Sequence, residues 1–119
     1  MIFEITPVPK ISTNKIYAGL HWSKRKAIAA DYHLSVLSEV RKRKLSQYGM
    51  PVAIFFTFSF KGKLLDCSNC TFMAKMIEDG LVCAGIIKDD SPKYVEEIRI
   101  VSKKGEKDIV TIEIKGHAQ

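Results

Sequence analysis

Val52-Ala-Ile-Phe-Phe-Thr-Phe-Ser-Phe60 sets Ile54, Phe56, Phe58 and Phe60 two residues apart. Successive side chains of a strand point to opposite faces, so this spacing turns four large apolar groups to one side. Aromatic and β-branched residues also suit a pleated, half-buried surface. The stretch predicts a central strand with one strongly apolar face, and such a face needs another layer packed on it.

On the N-terminal side, Ser23 to Ser46 reads as a helix. Ile28, Tyr32, Val36 and Val40 recur every four residues, and Leu37 widens the stripe. Ser23 is the predicted N-cap. Arg41, Lys42, Arg43 and Lys44 sit where the last carbonyls favour cations, before Gly49 and Pro51. Further back, Ile2 to Thr6 predicts a short strand. Pro7 and Pro9, which cannot donate ladder hydrogen bonds, mark a loop running through Ser12, Thr13 and Asn14.

On the C-terminal side, Gly62 punctuates a turn, and a second helix is predicted from an N-cap at Asn69 with Cys70, Met73, Ile77 and Leu81 as its buried stripe. Met73 and Met76 read as core filling. Ile86 and Ile87 predict a short edge strand, and Asp89-Asp90-Ser91-Pro92 a turn. Val95 to Val101 and Ile109 to Ile114 predict a hairpin about the charged loop Ser102 to Asp108, with Lys115 to Gln119 frayed. The sum is one α/β (α+β) domain over residues 1–119, a mixed sheet of four to five strands with two main helices packed on it.

The chain has 119 residues and a formal net charge of +6. Its apolar residues are dispersed, with no run long enough to span a bilayer and no pattern of an export signal, so the expectation is a cytoplasmic protein without a membrane partner. Charge is unevenly placed. Residues 1–64 hold 11 basic and 3 acidic side chains, and residues 65–119 hold 8 and 10. A basic half that grips phosphates and an acidic half that holds a cation suit a metal-dependent nuclease; a solvated basic helix beside an acidic sheet edge is the plainer alternative.

The acidic stretch holds Asp66, Ser68 and Asn69, then Lys75, Glu78 and Asp79, then Asp89 and Asp90. Carboxylates at both ends of a helix can converge on one hard cation, which prefers oxygen ligands. Taken singly each has a structural reading: Lys75 and Asp79 as an i,i+4 ion pair, Asp89 and Asp90 as turn residues, Asp66 as a strand terminator. Cys67 and Cys70 form a C-x-x-C pair, but with Cys83 and the scattered His21, His33 and His117 they make no four-ligand zinc set. Asp66 would disfavour a reactive thiolate, so reduced, partly buried thiols are expected.

Several of these motifs resemble the RusA family of phage and prophage Holliday-junction resolvases, over nearly the whole chain. Pro7-Val-Pro9 followed by Ser12-Thr-Asn14-Lys15-Ile-Tyr17 is similar to the family's proline-containing strand exit and S-x-N segment. Lys75-Met-Ile-Glu78-Asp79-Gly-Leu81, with Gly85 and Asp89-Asp90, looks like its K-x-x-x-D-x-L, G and D-D signature. Asp66-Cys67-Ser68-Asn69 departs from the family's D-x-D-N, with Ser68 in place of the second aspartate, and the segment from Asn69 to Lys75 is longer than the common spacing.

The resemblance implies a dimeric, Mg²⁺- or Mn²⁺-dependent endonuclease that resolves four-way junctions or related branched DNA in recombination and repair. It implies Asp66 and Asp90 as metal ligands, with Ser68, Asn69, Asp79 and Asp89 as further ones, and Lys75 at the scissile phosphate. Asn14, Lys15, Lys24, Arg25, Lys26, Lys61 and Lys63 are the expected DNA contacts, with Arg41 to Lys44 as further ones. His21 and Trp22 could stack on an unpaired base, a buried Trp being the commoner outcome. Two alternatives stay open: a junction-binding protein of this fold that Ser68 has left without nuclease activity, and a thiol oxidoreductase using Cys67 and Cys70.

Overall fold

A computed structural model describes residues 1–5 and 10–116. Across them β1 (Ile2–Ile5), β2 (Val52–Phe60), β3 (Val95–Lys104) and β4 (Ile109–Gly116) form one mixed sheet in the order β1-β4-β2-β3. β2 runs parallel to β3 and antiparallel to β4, and β1 closes the other side antiparallel to β4. Ile54, Phe56, Phe58 and Phe60 are buried on one face, as their spacing predicts, together with Phe3, Ile5, Val110, Ile112 and Ile114. On the other face the Phe55 ring lies under Arg99 and Lys115, at 4.9 and 4.8 Å.

The predicted hairpin is not formed. β3 and β4 are both strands, but β2 lies between them. The loop joining them crosses the end of β2, where Gly105 N donates to Phe60 O at 2.9 Å. A Cβ on Gly105 would lie 1.8 Å from Ser59 Oγ and 3.1 Å from Ser59 Cβ, so a larger residue at the crossing would turn that hydroxyl aside. The arrangement gives the most apolar strand two neighbours and leaves β3, with exposed Ile98 and Val101, at the edge.

Among the described residues three α-helices accompany the sheet: α1 (Thr13–Tyr17), α2 (Trp22–Arg43) and α3 (Thr71–Cys83). The loop predicted through Ser12, Thr13 and Asn14 is instead the start of α1, whose first turn is capped when Ser12 Oγ accepts from Lys15 N at 3.1 Å. α2 begins one residue before the predicted Ser23 cap. His21 takes that place, its Nδ1 accepting from Ser23 N at 3.2 Å. The helix ends at Lys44, which adopts the left-handed conformation (φ 53°), before Gly49 is reached.

Tyr32, Val36 and Val40 form the buried stripe of α2. It meets α3 at Gly80, where an added Cβ would stand 3.1 Å from Val36, so the glycine sets how closely the two helices approach. α3 starts later than predicted: Cys67–Cys70 form a turn of 3-10 helix, and Asn69 lies inside it instead of capping α3. Its other end is a Schellman closure, with Gly85 N to Val82 O at 3.0 Å and Ile86 N to Leu81 O at 2.9 Å, about Gly85 at φ +79°.

Ile86 and Ile87 are not a strand. They are buried anchors of the loop that follows α3. Lys115 and Gly116, predicted as frayed, belong to β4; His117 to Gln119, and Thr6 to Pro9 with the predicted proline loop, lie outside the described residues. No helix among the described residues is long and apolar enough to cross a membrane.

Candidate metal site

Lys75, Glu78 and Asp79 project from successive turns of α3, and Asp90 meets them from the loop that leads into β3. The Schellman closure at Gly85, the buried pair Ile86 and Ile87, and bonds from Tyr94 N and Val95 N to Ser91 O (both 2.9 Å) fold that loop back against the helix. Asp90 N donates to Asp89 Oδ1 at 2.9 Å, which commits the Asp89 carboxylate to the loop. One oxygen each of Glu78, Asp79 and Asp90 then lies within 4.8 Å of the others.

Lys75 fills the middle of this group. Its Nζ lies 3.1 Å from Asp79 Oδ1 and 3.4 Å from Glu78 Oε1, and it donates to Asp90 Oδ2. The hydrogen bond to Asp90 holds the ammonium well above the usual lysine range, and the same bond pulls the Asp90 carboxyl below its ordinary value. Glu78 differs: burial, at 5% exposure, raises its pKa against the opposing pull of Lys75. Three carboxylates around one cation are a hard-oxygen donor set of the kind that takes Mg²⁺ or Mn²⁺.

The cluster therefore brings together the predicted Lys75, Asp79 and Asp90, and adds Glu78, a member of the acidic stretch to which the sequence pattern assigns no role. Asp66 and Ser68 are exposed and outside it. Leu65 O accepts from Ser102 Oγ at 2.6 Å, late in β3, whereas Asp90 precedes that strand's first residue. Asn69 also faces elsewhere: its Oδ1 accepts from Asn14 N at 3.2 Å.

That bond is part of a clasp between α1 and the start of α3. Thr13 Oγ1 accepts from Phe72 N at 2.8 Å and lies 2.8 Å from Thr71 Oγ1, which in turn donates to Ser68 O at 2.8 Å. α3 has no capping side chain of its own, so Thr13 supplies one from a distance in sequence of 59 residues. The clasp brings α1, with exposed Asn14 and Lys15, onto the start of the helix that carries Lys75; Lys24, Arg25 and Lys26, also exposed, lie on the first turns of α2.

Lys61 and Lys63 lie at the turn after β2, where Lys104 Nζ donates to Lys61 O (2.5 Å) and Lys10 Nζ to Lys63 O. Of residues 41–44, Arg43 has Glu39 Oε2 3.8 Å from its Nε. A cleft of about 390 Å³ between α2 and β1, lined by Ile5, Leu34, Ser35, Ser38, Glu39 and Lys42, includes none of the cluster.

All three cysteines are free thiols; Cys70 is buried, while Cys67 and Cys83 are exposed. Burial, with help from Cys67, pushes the Cys70 thiol up to about 11, so it is protonated at neutral pH. Trp22, against the commoner outcome for such a residue, is 63% exposed. No protein-family model and no curated protein matches this chain.

Proposed function

We propose that the chain is a divalent-cation-dependent endonuclease that cuts four-way junctions or related branched DNA. The observation that carries this reading is the meeting of Glu78, Asp79 and Asp90 oxygens within 4.8 Å of one another around the Lys75 ammonium. The exposed basic residues Lys15, Lys24, Arg25 and Lys26 support it, as does the RusA-like order of Lys75, Asp79, Gly85 and Asp90.

In this reading Glu78, Asp79 and Asp90 hold Mg²⁺ or Mn²⁺. Such an ion supplies charge relief at the phosphate and an activated water. The Lys75 ammonium is the resident counter-ion of the three carboxylates. Released from them, it neutralises a phosphate oxygen as negative charge builds there. Lys15, Lys24, Arg25 and Lys26 hold the DNA backbone, which positions a branched molecule without reading its sequence. Symmetric incision of a junction needs two sites, so the working form is a two-fold homodimer, in the cytoplasm of a bacterial or phage-infected cell.

A junction-binding protein without nuclease activity is the second reading, favoured by the placement of Asp66 outside the cluster and by Ser68. One assay separates them: a synthetic four-way junction incubated with the protein, with and without Mg²⁺ or Mn²⁺, followed for binding and for nicks. Nicking that needs the ion and is lost in Asp90→Asn is the expected result. Binding without nicks supports the second reading, and absence of both defeats the two together.

A further inference from the structure

Tyr17 is 82% exposed and Trp22 63% exposed, a costly placement for two large aromatic rings in water. The backbone between them is nonetheless closely determined. Tyr17 ends α1; Gly19, at φ +112°, reverses the chain; Leu20 packs against the core. His21 then caps α2, its ring centroid 5.8 Å from that of Trp22. The rings are held out by a built turn.

The charge along this segment is one-sided. Between Glu4 and Asp31 the chain carries five Lys or Arg and no carboxylate. Lys24, Arg25 and Lys26 follow Trp22 directly on the first turns of α2, and Lys15 precedes Tyr17 on α1. Flat apolar rings framed by fixed positive charge fit a polyanion that offers its own flat rings. Bases within a duplex are stacked on each other; only unpaired ones present a free face.

We propose that Tyr17 and Trp22 form a stacking platform for unpaired bases, so that the preferred DNA has single-stranded nucleotides at or beside its branch. This rests on the DNA-cutting reading and narrows its substrate. Position supports it: through Thr13 and Asn14 the helix that ends at Tyr17 is fastened to the turn before α3, the helix that carries Lys75.

Trp22 is the sole tryptophan and therefore its own reporter. The whole chain, kept in chelator so that nothing is cut, is titrated with short oligothymidylate, with a blunt duplex of equal length and with phosphatidylserine vesicles. Tryptophan emission and, for the DNAs, anisotropy are followed together. Oligothymidylate is expected to quench Trp22 at saturation. Trp22→Ala should weaken its binding roughly 5- to 100-fold, the range for loss of one base-aromatic stack, and Trp22→Phe should restore most of it. Duplex affinity should change little in either variant.

Unchanged emission at saturating oligothymidylate, equal losses in the Ala and Phe variants, an equal loss on duplex, or a Trp22 response to vesicles alone would each overturn the platform. A chain that quenches as expected yet never nicks a junction with Mg²⁺ keeps the platform and loses the nuclease. No binding to any DNA removes both.

Discussion

Lys75 Nζ lies 3.1 Å from Asp79 Oδ1, one turn along the same helix, and the same ammonium also meets Glu78 and Asp90. A surface i,i+4 pair alone contributes roughly 0.3–0.5 kcal/mol. Here one cation holds carboxylates from a helix and from a loop, so a divalent ion bound as proposed would compete with the lysine for the same oxygens.

That competition has a measurable sign. Lys75→Ala should bind Mn²⁺ about two- to fivefold more tightly than the unaltered chain, the modest scale of a half-exposed ion pair, while nicking falls. Calorimetric titration with Mn²⁺ beside a nicking assay checks both; weaker Mn²⁺ binding in the variant would mean that lysine and metal do not share a site.

The two shifted carboxyls titrate in opposite directions. The lowered pKa of Asp90 contributes stability that is present above the unfolded carboxylate value and lost as pH falls through the folded one. Glu78, raised by burial, favours the protonated fold, so its ionisation costs stability as pH rises through its folded pKa. On acidification Glu78 takes its proton before Asp90, and Mn²⁺ affinity should begin to fall above the ordinary glutamate range. Glu78→Gln should bind Mn²⁺ roughly tenfold more weakly, with that upper limb of the pH profile flattened.

Thr13→Val keeps the shape of the side chain but leaves Phe72 N–H without its acceptor. Loss of this remote cap should cost about 1–2 kcal/mol in urea unfolding, with the first turn of α3 exchanging its amide protons faster. Equal exchange rates in the two proteins would show that α3 caps itself by other means.

Gly85→Ala places a Cβ at φ +79°, where the cost is steric strain of the backbone since no neighbour lies within 4 Å. A loss of about 1–2 kcal/mol is expected, together with weaker Mn²⁺ binding, because the same turn aims the loop that carries Asp90.

Junction affinity should fall steeply with salt. Removing Lys24 or Arg25 singly should reduce the slope of log K against log salt by about 1, without altering which sequences bind. An unchanged slope would take that residue out of the backbone contacts.

Local patterns in the sequence identified the elements but not all their neighbours. Alternation at Ile54, Phe56, Phe58 and Phe60 revealed β2 and its buried face, since a period of two is a local property. It was silent on whether Val95–Lys104 would pair with the next strand or with β2, which depends on burying β2 from both edges and on the crossing at Gly105. Lys75, Asp79 and Asp90 stand out through the RusA-like order of the motif, which also points to Asp66, a residue the fold leaves outside the cluster. Glu78 is masked in the sequence because it adjoins the apolar stripe of Ala74, Ile77 and Leu81, although a carboxylate so placed is itself a signal, being rarely buried without a partner. The clasp from Thr13 joins residues 59 apart, a relation that local periodicity does not encode.

β1 pairs with β4, Ile2 opposite Glu113 and Ile5 opposite Val110. During synthesis residues 2–5 therefore wait on the ribosome without a sheet partner until 109–116 have emerged. Contacts between such distant parts of a chain slow folding and prolong exposure of unpaired strands. Residues 52–104, which carry β2, α3, β3 and the acidic group, are complete before that last strand arrives.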